Sequence, residues 1–540
     1  MRLTRRHFLK NASAAAIALG GLRALQLNAQ VYAQDPIYGI DKVGQLMADP
    51  AGILNLPRHF SYKVIARTGD RMSDGLLMPS AFDGMAAFPV QGDSSKCLLV
   101  RNHELDSVGE EVDAFGGDKD LARKLVGKNA YDHFGGLPVN GGTSTLVYSH
   151  RSQRIERSHL SLVGTARNCA GGATPWGSWL SCEETLVGKA QGYEREHGYI
   201  FEVPAKAKGL VEAVPLKDMG RFVHEAAAVD STNGIVYLSE DYDRGLFYRF
   251  IPNTPGALRE GGRLQALVIR GWEQANTRNW PEDAADKNAR KVAMRQRFAC
   301  EWVDLEEVTA PEGDLSTRGE AKGAAIFARG EGLAFALRED KTREILFAAT
   351  GGGPLKIGQI WRYQPSEFEG TPREREQPGV MELLYETHNR AIMESCDNVA
   401  VAPWGDLIIC QDSYSETPDT VNYLRGLTPD GKIYTLAMNA HPEQGEFCGA
   451  CFSPDGSTLF VNIQRPGFTL AITGPWENLR NQAQGIRPLG KIIPAGALRS
   501  RCACSGITAN PAGYPARNCG HSGCSRRIRH PTRSPTAPRW

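Results

Sequence analysis

Short apolar runs recur along the chain, each opened by a polar residue, turned at a glycine and closed by a second apolar run with a polar end. The first such unit reads Asp83-Gly-Met-Ala-Ala-Phe88, with a turn at Gly92 and an end at Asn102-His-Glu104. Others begin at Cys169, Glu225, Glu331, Asp397 and Glu446. Runs this short, rich in Ala, Val, Phe and Leu and bounded by Gly, Asn and Asp, predict strand pairs rather than helices. Each pair is followed by a further strand-like run, such as Gly245-Leu-Phe-Tyr-Arg-Phe250 or Gly358-Gln-Ile-Trp-Arg-Tyr363.

Six copies of one hairpin unit predict an all-β chain, a six-bladed β-propeller over roughly Leu56 to Trp476, in which radial repetition protects the sheet edges. The spacing between copies exceeds an ordinary blade. The surplus is assigned to helical and loop insertions over one end of the central channel, at Asp106 to Asn140 and Asn253 to Gly323, with a charged helical stretch from Asp283 to Arg297.

The repeat also concentrates chemistry. Asp83, Cys169, Glu225, Glu331, Asp397 and Glu446 hold the first position of their units, so a propeller brings them to one end of its channel. Five carboxylates and a thiol converging without bases are costly unless cations sit among them. Oxygen ligands suit calcium, and one thiolate among them suits a transition metal such as iron. The polar ends Glu104, Glu184, Asp241 and Asp412 are expected at the opposite end of the strands, as rim contacts. Around Cys169 the stretch Asn168-Cys-Ala-Gly-Gly-Ala-Thr-Pro-Trp-Gly-Ser-Trp-Leu-Ser-Cys-Glu-Glu184 adds a turn at Thr174 to Gly177 and a strand that delivers Glu183 and Glu184.

Composition narrows the setting. In 540 residues there are 58 Gly and 31 Pro, as a turn-rich β chain requires. The net charge of +1 hides an acidic body: residues 34–498 carry 49 basic against 61 acidic residues, which argues against nucleic-acid binding. Residues 1–33 carry Thr4-Arg-Arg-His-Phe-Leu-Lys10 and a weakly apolar run ending at Val31-Tyr-Ala33. They read as a twin-arginine signal peptide for export to the periplasm or medium, not as a membrane-inserted helix. The propeller domain is placed at 34–498. Residues 499–540, with eight Arg, many Pro and four Cys, read as a separate disordered tail. Cys448-Gly-Ala-Cys451 falls where a strand is expected and receives no metal role.

Asn168 to Glu184, Asp83-Gly-Met, Asn102-His-Glu, His224-Glu225, Phe327-Ala-Arg-Gly-Glu331, Asp397-Asn398 and Phe452 to Gln464 together resemble the PhoX family of exported alkaline phosphatases. The resemblance implies a six-bladed propeller holding an iron and calcium cluster that hydrolyses phosphomonoesters. It implies that Cys169 is the iron thiolate, that Glu225, Glu331, Asp397 and Glu446 are carboxylate ligands beside Asp83, and that Arg329 contacts the substrate phosphate with Glu331 next to it in the catalytic site.

The expected function is therefore a metal-dependent phosphomonoesterase acting at alkaline pH as a monomer, with the twin-arginine machinery as its export partner. A calcium-dependent lactonase or esterase on a propeller is the alternative enzyme, and a non-catalytic binding platform the alternative outside catalysis. A purely calcium site gives Cys169 no role. No Gly-x-Ser-x-Gly elbow is present, and Gly351-Gly-Gly353 lacks a following Lys-Ser pair.

Overall fold

A computed structural model of the chain describes residues 40–106, 112–126, 129–413 and 421–482; the signal motif and the tail lie outside them. The pairings between strands are antiparallel throughout and build sheets arranged as a propeller, in which the third and fourth repeat units share one ten-stranded sheet. The innermost strands, Phe82–Pro89, Asn168–Ala173, His224–Val229, Gly330–Leu337, Cys396–Val401 and Phe447–Phe452, each touch the next, and the last touches the first. Successive strands of a unit step outward, as in Gly330–Leu337, Arg343–Ala349, Gln359–Gln364 and Val380–Glu386.

The inner strands carry small residues because their backbones nearly meet. A Cβ added at Gly84 would lie 2.6 Å from Ala170 Cα, and one at Gly332 would lie 2.6 Å from Asp397 O. With no room for large side chains at the axis, the apolar burial moves between the sheets. One cluster joins Ala86, Phe88 and Val100 of the first unit to Trp179, Phe201 and Val203 of the second. Another joins Tyr237 and Phe247 of the third unit to Phe347, Trp361 and Tyr363 of the fourth. Each full burial of such a side chain stabilises the fold by about 2 kcal/mol, so the units hold one another and the channel is left to polar groups.

Chain ends close the circle. Ser61–Arg67 pairs with Phe468–Thr473 as the outer strand of the sixth unit, and Leu54–Pro57 pairs with Ile433–Asn439 at the edge of the fifth.

Asp106 to Asn140 leaves and re-enters at the end of the strands where the units begin, whereas Asn253 leaves from the opposite end, after Gly245–Pro252, so the two insertions do not rise from one end as expected. The stretch expected as a helix from Asp283 to Arg297 is a second correction. Only a 3-10 turn at Pro281–Ala285 forms, and Arg297–Asp304 is a strand between the outer edges of the third and fourth units. Side chains bind the backbone locally instead: Asp286 accepts from Asn288 N–H and Asn276, and Asp283 accepts from Arg278. Such bonds compete with a helix that has no apolar face to bury. Gly262–Ile269, also inside this insertion, is an ordinary fourth strand of the third unit. Among the described residues no helix is long and apolar enough to cross a membrane.

Candidate metal centre

A β-bulge at the start of each inner strand builds the centre. Phe82 pairs with His103 and Met85 with Arg101, so one extra residue bows out between them. The same irregularity recurs between Asn168 and Gly171, His224 and Ala227, Gly330 and Leu333, and Cys396 and Val399. In these five units the residue after the first paired position is Asp83, Cys169, Glu225, Glu331 or Asp397. A bulge re-aims its side chain out of the pleat, and all five are buried.

The sixth unit departs from the expected equivalence. Its bulge lies between Cys448 and Cys451, so the matching position is Gly449, not Glu446. Gly449 adopts φ 61°, and a Cβ there would lie 2.4 Å from Asp83 O. Glu446 instead enters from just before the strand, where Gln464 Nε2 donates to Glu446 Oε1 (2.8 Å), Asp83 Oδ2 (3.0 Å) and Glu104 Oε2 (2.7 Å).

Ligand-type atoms within 4.8 Å of one another form overlapping triads: Asp83, Glu104 and Cys169; Cys169, Glu184 and Glu225; Glu225, Glu331 and Asp397; Glu184, Asp241 and Glu331; Asp83, Glu446 and Cys448. All six sequence-predicted ligands are thus brought together. Glu104, Glu184 and Asp241 correct the expectation that they lie at the far end. The second strand of an antiparallel hairpin returns to where the first began, so the residue after it sits beside the bulge. Asp412 does the same in the fifth unit, hydrogen-bonding Glu446 and pushing up the Asp397 carboxyl. Cys448, which received no role above, is fully buried and donates to Phe82 O at 3.0 Å.

The electrostatics are unfavourable for a bare protein. Burial, then the neighbouring carboxylates, holds Asp83, Glu225 and Glu331 well above the ordinary carboxylate range. Burial and Asp412 push Asp397 up to about 8. The Cys169 thiol is raised by burial and then by Asp83 and Glu225. Glu225 Oε2 is buried with no hydrogen-bond partner, an expensive state that a cation relieves. The donor set of clustered carboxylate oxygens with the thiols of Cys169 and Cys448 fits bound cations.

Among the described residues, two bases border this acid cluster: Arg167, whose charge acts on Glu104 and Glu184, and Arg329. In Arg329 the contacts are direct. Nε and Nη2 donate to Asp241 Oδ1 (2.9 Å) and Oδ2 (2.7 Å), and Nη2 also to Glu331 Oε1 (3.1 Å). Its backbone has φ 53°, a left-handed conformation rare for a long side chain, held by Arg329 N–H to Tyr242 O (3.0 Å). The Arg329 side chain is 45% exposed, so it borders both the cluster and solvent.

A second buried network braces the centre. Glu183 and Glu184 are adjacent on a strand end and face opposite ways. Glu183 accepts His197 Nδ1 (2.6 Å) and the N–H groups of Ala166, Gly198 and Tyr199, while His197 Nε2 meets Asp132 Oδ2 (3.0 Å). Burial opposes charge on His197, but Glu183 and Asp132 raise it to about 9. Asp132 and His197 lie in loops with no periodic signal, which is why the sequence pattern passed over them.

The family model for alkaline phosphatase PhoX matches residues 42–467. Among solved structures, Pseudomonas fluorescens PhoX in complex with vanadate, a transition state analogue, superposes with a TM-score of 0.58 at 17% identity, covering 81% of this chain and 98% of that one. A gluconolactonase of Xanthomonas campestris, XC5397, superposes at 0.34 with 10% identity, covering 81% of this chain and 99% of that one, too loosely to bear on function. No curated protein sequence matches the chain.

Proposed function

The chain belongs to the PhoX family of alkaline phosphatases, and from that premise we propose that it hydrolyses phosphomonoesters at the acid cluster, at alkaline pH, with calcium and iron held there. The observation that carries this reading is the convergence of Asp83, Cys169, Glu225, Glu331 and Asp397 around the unpartnered Glu225 Oε2. Cys169 would hold iron as thiolate, and Asp83, Glu225, Glu331, Asp397 and Glu446 would hold the cations between them. When bound, such cations supply Lewis acidity to the phosphoryl group and offset its charge.

The chain's own residues do the positioning. Asp241 and Glu331 occupy Arg329 Nε and Nη2, so the guanidinium plane is set before substrate arrives and Nη1 is left to meet a phosphate oxygen. Preorganised charge of this kind needs no rearrangement in the transition state. Gln464 fixes the carboxylates of Asp83, Glu104 and Glu446 relative to one another. Export by the twin-arginine route to the periplasm or medium completes the reading, because that pathway carries proteins already folded.

The test is p-nitrophenyl phosphate hydrolysis at alkaline pH with calcium present, beside elemental analysis of the purified protein. Arg329→Ala should keep its metals and lose about a hundredfold in rate, roughly 3 kcal/mol. Cys169→Ser should lose iron, the charge-transfer colour of a ferric thiolate and activity together. Full rate and full iron in Cys169→Ser would overturn the thiolate assignment. Calcium without iron would favour a lactonase, and an inactive, metal-loaded protein would favour a binding platform.

A further inference from the structure

Three large apolar side chains are exposed among the described residues: Met47 (51%), Tyr242 (51%) and Leu355 (44%). Met47 sits on an edge strand, where a single exposed side chain is ordinary. The other two stand on the segments that hold Arg329. Tyr242 follows Asp241, the bidentate partner of the guanidinium, and its carbonyl accepts Arg329 N–H. Leu355 belongs to the loop 350–358, whose Thr350 and Gly351 N–H groups donate to the carbonyls of Arg329 (2.9 Å) and Ala328 (3.2 Å).

Both segments are stiff, so their exposure is not that of loose chain. Trp280 Nε1 donates to Gly351 O (2.6 Å), Gly353 N–H to Arg278 O (2.9 Å) and Gly358 N–H to Gly352 O (2.9 Å). Arg278 and Lys356 each lie 4.0 Å from the centre of the Trp280 ring. Arg278 also donates to Asp243 O (3.2 Å), which ties the Tyr242 turn to the Leu355 loop. A braced rim that spends its rigidity on holding an aromatic ring and an isobutyl group in water, beside the Arg329 guanidinium at the border of the acid cluster, is built to meet an apolar surface.

We propose that Tyr242 and Leu355 receive the leaving group of the substrate, and that the enzyme favours phosphomonoesters of planar aromatic alcohols over those of small polyols. This rests on the phosphatase reading above and deepens it. With phosphate oxygens directed to Arg329 and the acid cluster, the ester oxygen and its substituent face the rim. A planar ring stacks on Tyr242 and covers Leu355, whereas a polyol leaves both wet and loses nothing by their removal.

The experiment compares 1-naphthyl phosphate with glycerol 2-phosphate for wild type, Tyr242→Ala, Tyr242→Phe and Leu355→Ser. Taking the variant-to-wild-type ratio for each substrate cancels the intrinsic reactivity of the esters. For naphthyl phosphate, kcat/KM should fall about tenfold in Tyr242→Ala, through KM, and severalfold in Leu355→Ser. Glycerol 2-phosphate turnover and inhibition by inorganic phosphate should stay unchanged, and Tyr242→Phe should behave as wild type. Equal losses on both substrates, or none on either, overturn this inference while leaving the phosphatase reading intact. A metal-loaded wild type that cleaves neither ester overturns both.

Discussion

Asp455 and Asp397 stand on neighbouring units at opposite ends of their strands, and burial works against ionisation in both. Asp455 lies in the turn between Phe447–Phe452 and Thr458–Ile463, where its Oδ1 accepts from Ser453 Oγ (2.6 Å), Ser457 N–H (3.1 Å) and Ser457 Oγ (2.8 Å). Those bonds outweigh burial and hold its carboxyl below the usual range. Asp397, at the bulge, meets other acids and is pushed up to about 8. Asp93, Asp340 and Asp430, also in tight turns, are lowered, while Asp83, Glu184, Glu225, Glu331 and Glu446 are raised. One end of the strands satisfies its carboxylates from within three residues; the other gathers them from across the chain and leaves their charge for something else to balance.

The largest effect should come from removing that something. Chelation of the purified protein should abolish hydrolysis and lower Tm by about 10 °C, because ligands that bind only the folded chain stabilise it by mass action. Calorimetry with and without chelator checks this, and an unchanged Tm would erase the contrast between the two ends. A sharper version uses Glu225→Gln. The loaded variant should bind less metal and lose about a thousandfold in rate, yet the stripped variant should melt a few degrees above stripped wild type, since one buried charge is gone. A lower Tm in the stripped state would show Glu225 to be structural.

Titration should separate the two ends by sign. A carboxyl raised in the fold, such as Asp397 at about 8 or Glu104 at about 7, favours the folded state below the unfolded value near 4 and loses that advantage as pH rises through its folded pKa. Stripped protein should therefore lose stability between about pH 4 and pH 8, and the loaded protein should not. The turn aspartates act in reverse, and their contribution disappears as pH falls below about 4. Melting curves across this range, with and without calcium, would reveal a single trend if the ends did not differ. Smallest of all, Asp455→Ala should cost about 1 kcal/mol of stability and leave phosphatase kinetics untouched.

Much of this was legible in the sequence because a polar residue opening an apolar strand is conspicuous: Asp83, Cys169, Glu225, Glu331 and Asp397 all lie where the repeat put them. Two kinds of residue were harder. Glu104, Glu184 and Asp241 end their apolar runs, and their meaning depends on the hairpin returning them to its own start, a matter of pairing rather than pattern. Glu446 was aligned by its charge, whereas the backbone aligns Gly449, which carries no side chain to notice. The His197, Asp132 and Glu183 network was invisible for another reason: its members come from two loops and a strand end, and only the fold makes them neighbours.

The seam at Ser61–Arg67 and Phe468–Thr473 bears on time as well as shape. During synthesis the outer strand of the last unit emerges some four hundred residues before its partner, so it waits unpaired while the intervening units form. Gln464, which links Asp83 and Glu104 to Glu446, arrives just before that partner. Glu446, Cys448 and Gln464 are thus the last residues to join the acid cluster, and long-range closure of this kind is intrinsically slow. If the cluster holds cations as proposed, those present at that moment would act on the rate at which the circle shuts, and their supply in the compartment of folding would help to set how much protein is completed.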